Sequence, residues 1–274
     1  MRKNKNKKFK KRNILLFFII FIFFLIVWGI LIEPNILVVQ KYKVENSKLR
    51  GIRAVLAGDF HIKPYQENRL KYVVKKINAQ NPDIVFLIGD YVNMHEDKAS
   101  FPIAQIAERL AEIRPSKKIY TVLGNHDYYK DGRKIKKELS LKGITVLENR
   151  SVYTRVKDRL VCIAGIEDLI TGFPNLNKAL RFSVSPTILL SHQPDIFYKV
   201  PESVDLILAG HTHGGQINIP FYGSVIVPSK YGTRFSKGFF KENGRRMIVT
   251  KGIGTSIIPV RFDSFPEIVV IDFI

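Results

Sequence analysis

Five short apolar runs in this chain each end, where a β-strand would end, in a small residue followed by a carboxylate, amide or imidazole side chain. The five junctions are Gly58-Asp59-Phe60-His61, Gly89-Asp90, Gly124-Asn125-His126-Asp127, Ser191-His192 and Gly210-His211-Thr212-His213-Gly214-Gly215. Open α/β sheets gather their polar sites at the carboxyl ends of their strands. Five of the six histidines of the chain lie in these junctions. The pattern therefore predicts an α/β fold in which the strand ends together form one site.

The side chains at these junctions are the ligand types of a two-metal site. They supply two Asp, one Asn and four His: Asp59, His61, Asp90, Asn125, His192, His211 and His213. Residues i and i+2 of an extended segment point to the same side, which would let Asp59 and His61 bind one ion together. Asp90 is a single carboxylate, suited to bridge two cations about 3.5–4 Å apart. Nitrogen and oxygen ligands without thiolate indicate Mn, Fe or Zn.

Each junction alone also has an ordinary interpretation. Gly-Asp after an apolar run is usually a turn, because the Asp side chain hydrogen-bonds its own backbone. Ser191-His192 alone is typical of a surface loop, whereas Gly210–Gly215 is specific by itself. The ordered combination of five junctions, each after a strand-like run, favours a site over chance.

This ordered set resembles the calcineurin-like metallophosphoesterase superfamily, over roughly residues 50–274. The segment Gly252–Ile268 resembles its membrane-anchored bacterial subgroup, the YaeI/YkuE-type phosphodiesterases. The resemblance implies a four-layer α/β/β/α sandwich and two divalent transition-metal ions, with Mn favoured over Fe or Zn. By that resemblance the first ion takes Asp59, His61, Asp90 and His213, and the second takes Asp90, Asn125, His192 and His211.

Other residues carry weaker or second-sphere assignments. His126 matches the family's catalytic histidine, which contacts the phosphoryl oxygen or protonates the leaving group. Many members carry Asp where this chain has Asn93 and Glu where it has Asp127, and neither position is a metal ligand in the family. Arg261 is a candidate substrate clamp, because a guanidinium fork matches phosphate geometry; a surface or core-rim arginine is the alternative. Asp168, at a further polar strand end, is a weak substrate-binding candidate.

The amino terminus predicts a membrane anchor. Residues 1–12 carry eight Lys or Arg and no acid, and Ile14–Ile32 is apolar or Gly throughout. A membrane span needs about 20 apolar residues, whereas a core helix of this length would keep a polar face. We divide the chain into a basic cytoplasmic tail (1–12), a transmembrane signal anchor (13–32), a juxtamembrane connector (33–49) and a metallophosphoesterase domain (50–274).

Orientation and processing of this anchor leave alternatives. A cleaved secretory signal is one, although no small-x-small cleavage site follows the apolar run. The positive-inside rule places the basic tail in the cytoplasm and the catalytic domain on the extracytoplasmic side of the cell membrane. A monotopic anchor would leave the domain in the cytoplasm. The single cysteine, Cys162, excludes an intramolecular disulfide and lies in an apolar run that predicts a buried thiol.

Between the junctions, strands and helices alternate. Leu70, Val73, Val74 and Ile77 have helical spacing, and this helix should end before Asn81-Pro82. A second helix is predicted around Ile103–Ile113 by the same spacing. Alternation up to about Leu141 predicts a parallel sheet, and strands dominate after Thr145.

The predicted function is a membrane-anchored, binuclear metal-dependent phosphohydrolase that cleaves a phosphodiester or pyrophosphate bond. The resemblance implies the bilayer and a phosphate-bearing, lipid-linked substrate as partners, with UDP-2,3-diacylglucosamine as one candidate. That lipid is made on the cytoplasmic face, in conflict with the charge rule. The net charge of +20 favours, as an alternative, a nucleotide or nucleic-acid phosphodiesterase. No aromatic and basic pattern predicts a specific nucleic-acid groove, and a non-catalytic binding protein is a third class.

Overall fold

The computed structural model describes residues 2–93, 102–115 and 118–274. Its helices are α1 Arg2–Val27, α2 Glu67–Asn78, α3 Ile103–Ala111, α4 Asn125–Leu141 and α5 Leu176–Leu180. Its strands are β1 Val38–Val44, β2 Arg53–Ala57, β3 Ile84–Leu87, β4 Ile119–Thr121, β5 Thr145–Val146, β6 Arg150–Val156, β7 Arg159–Gly165, β8 Thr187–Leu190, β9 Leu206–Ala209, β10 Asn218–Ile219, β11 Gly223–Ser224, β12 Gly238–Glu242, β13 Arg245–Val249 and β14 Glu267–Phe273. His95, the histidine outside the five junctions, lies outside the described residues.

Two six-stranded sheets form the centre of the domain. The first has the order β1-β14-β2-β3-β4-β5, and its strands β2 to β5 run parallel. The second has the order β12-β13-β9-β8-β7-β6, with a parallel centre from β13 to β7 and antiparallel edges. The parallel strands of both sheets therefore direct their carboxyl ends to one edge each, where the predicted ligands follow.

Four layers bury the apolar side chains. The two sheets pack face to face through residues that include Leu56, Phe86, Val269, Ile163, Leu190 and Leu208. Helices α2, α3 and α4 cover the outer face of the first sheet, through Leu70, Ile77, Ile106, Leu110, Ile135 and Leu139. Helix α5 and a 3-10 turn, Pro194–Lys199, cover the second sheet. This arrangement confirms the predicted α/β class with two packed sheets and helices outside.

The helix predictions hold in detail. Helix α2 buries the four residues whose spacing predicts it and ends at Asn78, before Asn81-Pro82. Helix α3 ends at Ala111, so Ile113 is buried just beyond its last turn. Amphipathic spacing and a following proline are sufficient to place both helices, because each lays its apolar stripe on the first sheet.

Within the stretch 33–49, predicted as a connector, residues 38–44 form an edge strand of the first sheet. Strand β1 pairs in parallel with β14 along its whole length, from Val38 opposite Glu267 to Val44 opposite Phe273. Its sequence, Val-Val-Gln-Lys-Tyr-Lys-Val, combines β-branched residues with alternation of apolar and polar side chains, which suits a half-buried edge strand. The sheet therefore begins within about ten residues of the apolar amino-terminal segment.

The apolar amino-terminal helix ends directly on the domain. Among the described residues, one helical segment, Lys11–Asn35, is long and apolar enough to cross a membrane. Helix α1 passes into a π-helical turn at Trp28–Ile32 and a 3-10 turn at Glu33–Asn35. The carboxylate of Glu33 is buried and accepts hydrogen bonds from the backbone N–H groups of Asp263 (3.0 Å) and Ser264 (2.6 Å). The helix end is thus fixed to the domain by one buried and one partly buried hydrogen bond.

Candidate metal centre

The strand ends bring the predicted ligands together. Asp59 and His61 follow β2, Asp90 follows β3, and Asn125 opens α4 behind β4 in the first sheet. In the second sheet, His192 follows β8, and His211 and His213 follow β9. All seven side chains are buried at the edge where the two sheets meet. Packing the two parallel sheets face to face is what joins ligands that lie far apart in the sequence.

Three overlapping groups could each hold a cation, with candidate ligand atoms within 4.8 Å of one another. They are Asp59-His61-His213, His61-Asp90-His126 and Asp90-His192-His211. Asp90 Oδ2 lies 3.5 Å from His61 Nε2 and 3.2 Å from His192 Nε2. Asp90 therefore stands between a group of ligands on one side and a second group on the other, the position that a bridging carboxylate occupies.

The spacing of the imidazole nitrogens fits metal ligation. His61 Nε2 lies 3.1 Å from His213 Nε2, and His211 Nδ1 lies 3.2 Å from His192 Nε2. Two nitrogens that each bind one ion at about 2.1 Å lie about 3.0 to 3.4 Å apart in octahedral or tetrahedral geometry. Asn125 Oδ1 is buried without a hydrogen-bond partner, and an unpaired buried oxygen is costly unless a cation or donor faces it. The donor set therefore fits a pair of divalent ions.

Hydrogen bonds behind the ligands fix their orientation. The ring nitrogen Nδ1 of His192 lies 2.6 Å from the carbonyl oxygen of Ile88 and donates to it, which directs Nε2 toward Asp90. The carboxylate of Asp59 accepts from the backbone N–H of His211 at 2.9 Å. Such partners behind the ligands set ring orientation and ligand basicity in metal sites.

Asp127 holds two of the ligand loops together, the loop after β3 and the loop after β4. Its carboxylate accepts from the backbone N–H groups of Asp90 (2.8 Å), Tyr91 (2.8 Å) and Gly124 (3.0 Å). Asp127 is fully buried, and burial together with the charge of Asp90 raises its pKa to about 7. The side chain thus orders the loops after β3 and β4, in agreement with its expected role outside the ligand set.

Five of the seven candidate ligands have a backbone in the left-handed region. The φ values are 50° at Asp59, 43° at His61, 53° at Asp90, 70° at His211 and 51° at His213. The extended geometry assumed for Asp59 and His61 is therefore wrong, although both side chains do reach the site. Residues other than glycine adopt such φ values rarely, and they cluster at functional sites where surrounding structure maintains them.

Burial and the charge of Asp90 together determine the protonation of the histidines. It lowers the pKa of His61 to about 3 and that of His211 to about 4, so both are neutral at pH 7 and free to bind a cation. Burial also lowers the pKa of His192, but the carboxylate of Asp90 outweighs it and raises that pKa to about 10. Burial raises the pKa of Asp59 to about 7. Carboxylates and neutral imidazoles buried together form an environment that a cation stabilises.

His126 faces a cavity of about 620 Å³ beside the candidate ligands. Its backbone N–H donates to Asp90 Oδ1 at 2.9 Å, and its Nε2 lies 3.3 Å from the hydroxyl of Ser256. The polar part of the cavity lining includes Asp90, Asn125, His126, His211 and His213. The apolar part of the lining, which we call the apolar wall, consists of Ile217, Val225, Ile226, Pro228, Ile257 and Ile258. A ligand with a phosphate and an apolar group would find a matching surface for each.

Arg261 and Asp168 are buried near the site but do not line the cavity. Arg261 is fully buried, and its guanidinium donates to the carbonyl oxygens of Gly254 (2.6 Å), Ser264 (2.8 Å) and Lys251 (2.8 Å). These contacts favour a structural arginine over a substrate clamp, because the donors are already used. Asp168 is fully buried as well and accepts from the backbone N–H and the hydroxyl of Thr171, each at 2.8 Å. Arg261 also contacts a candidate ligand, with its Nη2 3.4 Å from His213 Nδ1. Asp168 organises the loop that contains Thr171.

Two residues near the site escape sequence analysis. Ser256 contacts His126, and Gln216 binds Ser256 by accepting from its backbone N–H at 2.9 Å. Gln216 directly follows the Gly210–Gly215 junction, and Ser256 belongs to the segment that resembles the bacterial subgroup. Their position next to specific motifs could have indicated that they lie near the site, but neither residue type by itself predicts a role there.

Comparison with known proteins identifies the family. The sequence profile of the family described as "Calcineurin-like phosphoesterase" matches residues 52–215. A protein named as an uncharacterized metallophosphoesterase, YkuE of Bacillus subtilis (strain 168), is 32% identical over 249 residues, which are 87% of this chain and 86% of that protein. Phosphodiesterase YaeI of Escherichia coli (strain K12) is 30% identical over 199 residues, which are 71% of this chain and 72% of that protein.

A vertebrate relative shares the domain within a longer chain. A Danio rerio protein named "Transmembrane protein with metallophosphoesterase domain" is 31% identical over 241 residues, which are 81% of this chain and 53% of that protein. The match to the family covers the five junctions from Asp59 to His213. The chain therefore belongs to the calcineurin-like phosphoesterase family and is a metallophosphoesterase.

Proposed function

We propose that this metallophosphoesterase works with two divalent transition-metal ions, with Mn favoured and Fe or Zn as alternatives. The observation that carries the proposal is the position of Asp90 between two histidine groups. Asp59, His61, Asp90 and His213 would hold one ion, and Asp90, Asn125, His192 and His211 would hold the other. The nitrogen and oxygen donors, with Cys162 buried in β7 away from them, suit these metals.

Bound ions of this kind supply a hydroxide nucleophile at neutral pH and polarise the phosphoryl oxygens. The chain's own residues orient the ester. Asp90 Oδ1 fixes the backbone of His126, and the hydroxyl of Ser256 lies against its ring. His126 would then hydrogen-bond a phosphoryl oxygen or give a proton to the leaving oxygen, a role worth about 10²–10⁴-fold in rate.

The substrate we propose is a lipid-linked or envelope phosphodiester or pyrophosphate, with UDP-2,3-diacylglucosamine among the candidates. The apolar wall formed by Ile226, Ile257 and Ile258 supports a substrate with an apolar group, and the helical segment Lys11–Asn35 supports a membrane location. We place the catalytic domain on the extracytoplasmic side, because eight Lys or Arg precede the span and four follow it in residues 33–50. A cytoplasmic domain would favour the UDP-linked lipid instead.

A nucleotide or nucleic-acid phosphodiesterase is the second candidate. The net charge of +20 supports it, since a basic surface attracts phosphate-bearing polymers. Single-stranded nucleic acid is usually held by stacking of bases on aromatic side chains. The described residues that line the cavity include no Phe, Tyr or Trp. The lining therefore favours an aliphatic group over a base.

Metal analysis with matched variants tests the proposal. The purified full chain should hold close to two transition-metal ions and hydrolyse bis-p-nitrophenyl phosphate with Mn²⁺. Asp90→Ala should lose metal and activity together, whereas His126→Ala should keep metal and lose about 10²–10⁴-fold in turnover. Asp158→Ala, a change at an exposed aspartate in the β6–β7 turn, is the control and should change neither. A chain without transition metal that neither Mn²⁺ nor Zn²⁺ activates would refute the two-metal proposal.

A further inference from the structure

Large apolar side chains face solvent in the cavity lining, at Val225, Ile226, Ile257 and Ile258, and in the adjoining β10–β11 hairpin. We call this surface the apolar rim; it consists of Ile219, Phe221, Tyr222, Val225, Ile226, Ile257 and Ile258. The relative exposure of the side chains reaches 77% at Ile226, 82% at Ile257 and 112% at Phe221. Isolated exposed apolar residues are common, but a contiguous group beside a ligand site marks a surface that another apolar phase covers.

The backbone holds two of these side chains outward at a cost. The β10–β11 hairpin closes through a turn in which Tyr222 N–H donates to Ile219 O at 3.0 Å. Phe221 in this turn has a φ of 66°, and Ile257 has a φ of 62°. Bulky and β-branched residues avoid this region, which glycine occupies freely. The exposed aromatic and aliphatic tips are therefore placed against the conformational preference of their own residues, which points to a function outside the folded core.

The rim is fixed to the end of the amino-terminal helix. The backbone N–H of Arg261, three residues after Ile258, donates to the carbonyl oxygen of Gly29 at 2.9 Å. Two residues further on, Asp263 and the following Ser264 donate to the buried carboxylate of Glu33. The segment that carries Ile257 and Ile258 thus ends on the last turns of the helix.

The hairpin is held to that same segment from the other side. Gln216 donates to the carbonyl oxygen of Ile258 at 2.9 Å. Asn218, the first residue of the hairpin, donates to the carbonyl oxygen of Asp263 at 2.8 Å through its side chain and to that of Phe262 at 2.8 Å through its backbone. Rim, hairpin and helix end therefore form one hydrogen-bonded unit. A membrane that holds the helix lies within reach of the rim.

We propose that the apolar rim inserts into the interface of the bilayer that holds the amino-terminal helix, so that the metal centre takes its phosphate ester directly from a lipid in that bilayer. Phe, Tyr and Trp suit the membrane–water interface, because their rings are apolar and those of Tyr and Trp carry a polar edge. Trp28, which begins the π-helical turn after helix α1, is an aromatic residue of the kind found at this interface. The lipid substrate rests on the proposed function; the insertion of the rim does not.

Spin labels measure this insertion without turnover. Cys162 is the only cysteine of the chain and is buried, so single cysteines can be introduced in a Cys162→Ala full chain. Labels at Phe221→Cys and Ile226→Cys report the rim. Phe182→Cys is the matched control, because Phe182 is 69% exposed but lies before the amino end of β8, at the opposite edge of the sheet. The chain is placed in nanodiscs of phosphatidylcholine and phosphatidylglycerol at a ratio of about 3:1, since anionic lipid attracts basic proteins.

Relaxation by oxygen, which concentrates in hydrocarbon, is compared with relaxation by a water-soluble nickel chelate. We expect the rim labels to favour oxygen over the chelate at least threefold more than the Phe182 label does. Rim labels with the same accessibility as the control would overturn the proposal. Labels shielded from both reagents would overturn it as well, by showing contact with a protein instead of lipid. Hydrolysis of bis-p-nitrophenyl phosphate by the Phe221→Cys and Phe182→Cys chains, whose changed residues do not line the cavity, reports the metal centre separately. Failure of the rim proposal is therefore distinguishable from failure of the proposed function.

Discussion

Gly124 occupies the place in the chain where a single added methyl group should disable the metal centre. A Cβ at this position would lie 2.2 Å from Asp90 Oδ1 and 2.7 Å from His192 Cε1, two groups held in place by their own hydrogen bonds. Relief of the clash needs a shift of about 1 Å, since carbon and oxygen in contact lie about 3.2–3.5 Å apart. Metal–ligand distances tolerate only about 0.2 Å.

We therefore expect Gly124→Ala to weaken metal binding by about 10–100-fold, comparable with the loss of a supporting partner in other metal sites. The rate at saturating Mn²⁺ should fall by about 10²-fold, the cost of a 1 Å misplacement of reacting groups. Overpacking should lower the free energy of unfolding by about 1–3 kcal/mol. The assays are metal content after dialysis, hydrolysis of bis-p-nitrophenyl phosphate against Mn²⁺ concentration, and thermal unfolding in detergent.

Gly143→Ala separates the clash from general destabilisation. Gly143 has a φ of 80° and nothing within 4 Å of an added Cβ, so the change strains the backbone without touching a ligand. It should lower the melting temperature and leave metal content unchanged. If Gly124→Ala retained both metal and the wild-type rate, the contact of Gly124 with Asp90 and His192 would not define the site, and the geometric reasoning would be refuted.

Two further predictions concern Arg261 and the membrane. Arg261→Ala should lower the free energy of unfolding by about 3 kcal/mol, because it leaves several buried carbonyl oxygens without donors. If Arg261 were a substrate clamp, the change would instead lower kcat/KM at an unchanged melting temperature. Thermal unfolding and kinetics together therefore distinguish the structural role from the clamp. The full chain should stay in the membrane fraction through alkaline carbonate, and protease added to spheroplasts should digest the catalytic domain, since eight Lys or Arg flank the span on one side and four on the other. Full protection until permeabilisation would place the domain in the cytoplasm and make UDP-2,3-diacylglucosamine the first candidate.

The sequence alone was sufficient to predict the sheet edge that carries the ligands and the helices that pack beside it. Apolar runs followed by Gly-Asp or Gly-His mark the carboxyl ends of β2, β3 and β9, because a buried parallel strand is uniformly apolar up to the point where it leaves the sheet. Helix α2 was equally predictable, since its apolar residues all pack on one surface, the outer face of the first sheet. These features depend on local pattern alone.

Features that depend on tertiary contacts could not be predicted from the sequence. Residues 33–49 are short and polar enough to suggest a connector, yet β1 exists because β14, more than 220 residues later, offers it a free edge. Arg261 is as compatible with phosphate as with carbonyl oxygens until its burial is known. Glu33 follows the apolar run like an interfacial acid, but it binds the backbone of the loop after Arg261. In each case the partner is remote in sequence.

The residue between the first two ligands shows how the core builds the site. Phe60 is fully buried and stacks on Tyr91, with ring centroids 5.4 Å apart, and the hydroxyl of Tyr91 lies 2.6 Å from that of Thr121 in β4. The backbone N–H of Asp59 donates to Gly89 O at 3.0 Å, so the loops after β2 and β3 leave the sheet side by side. Core packing of Phe60 and Tyr91 therefore maintains the left-handed backbone that presents Asp59 and its neighbours. The strain is therefore held by core groups outside the ligand set.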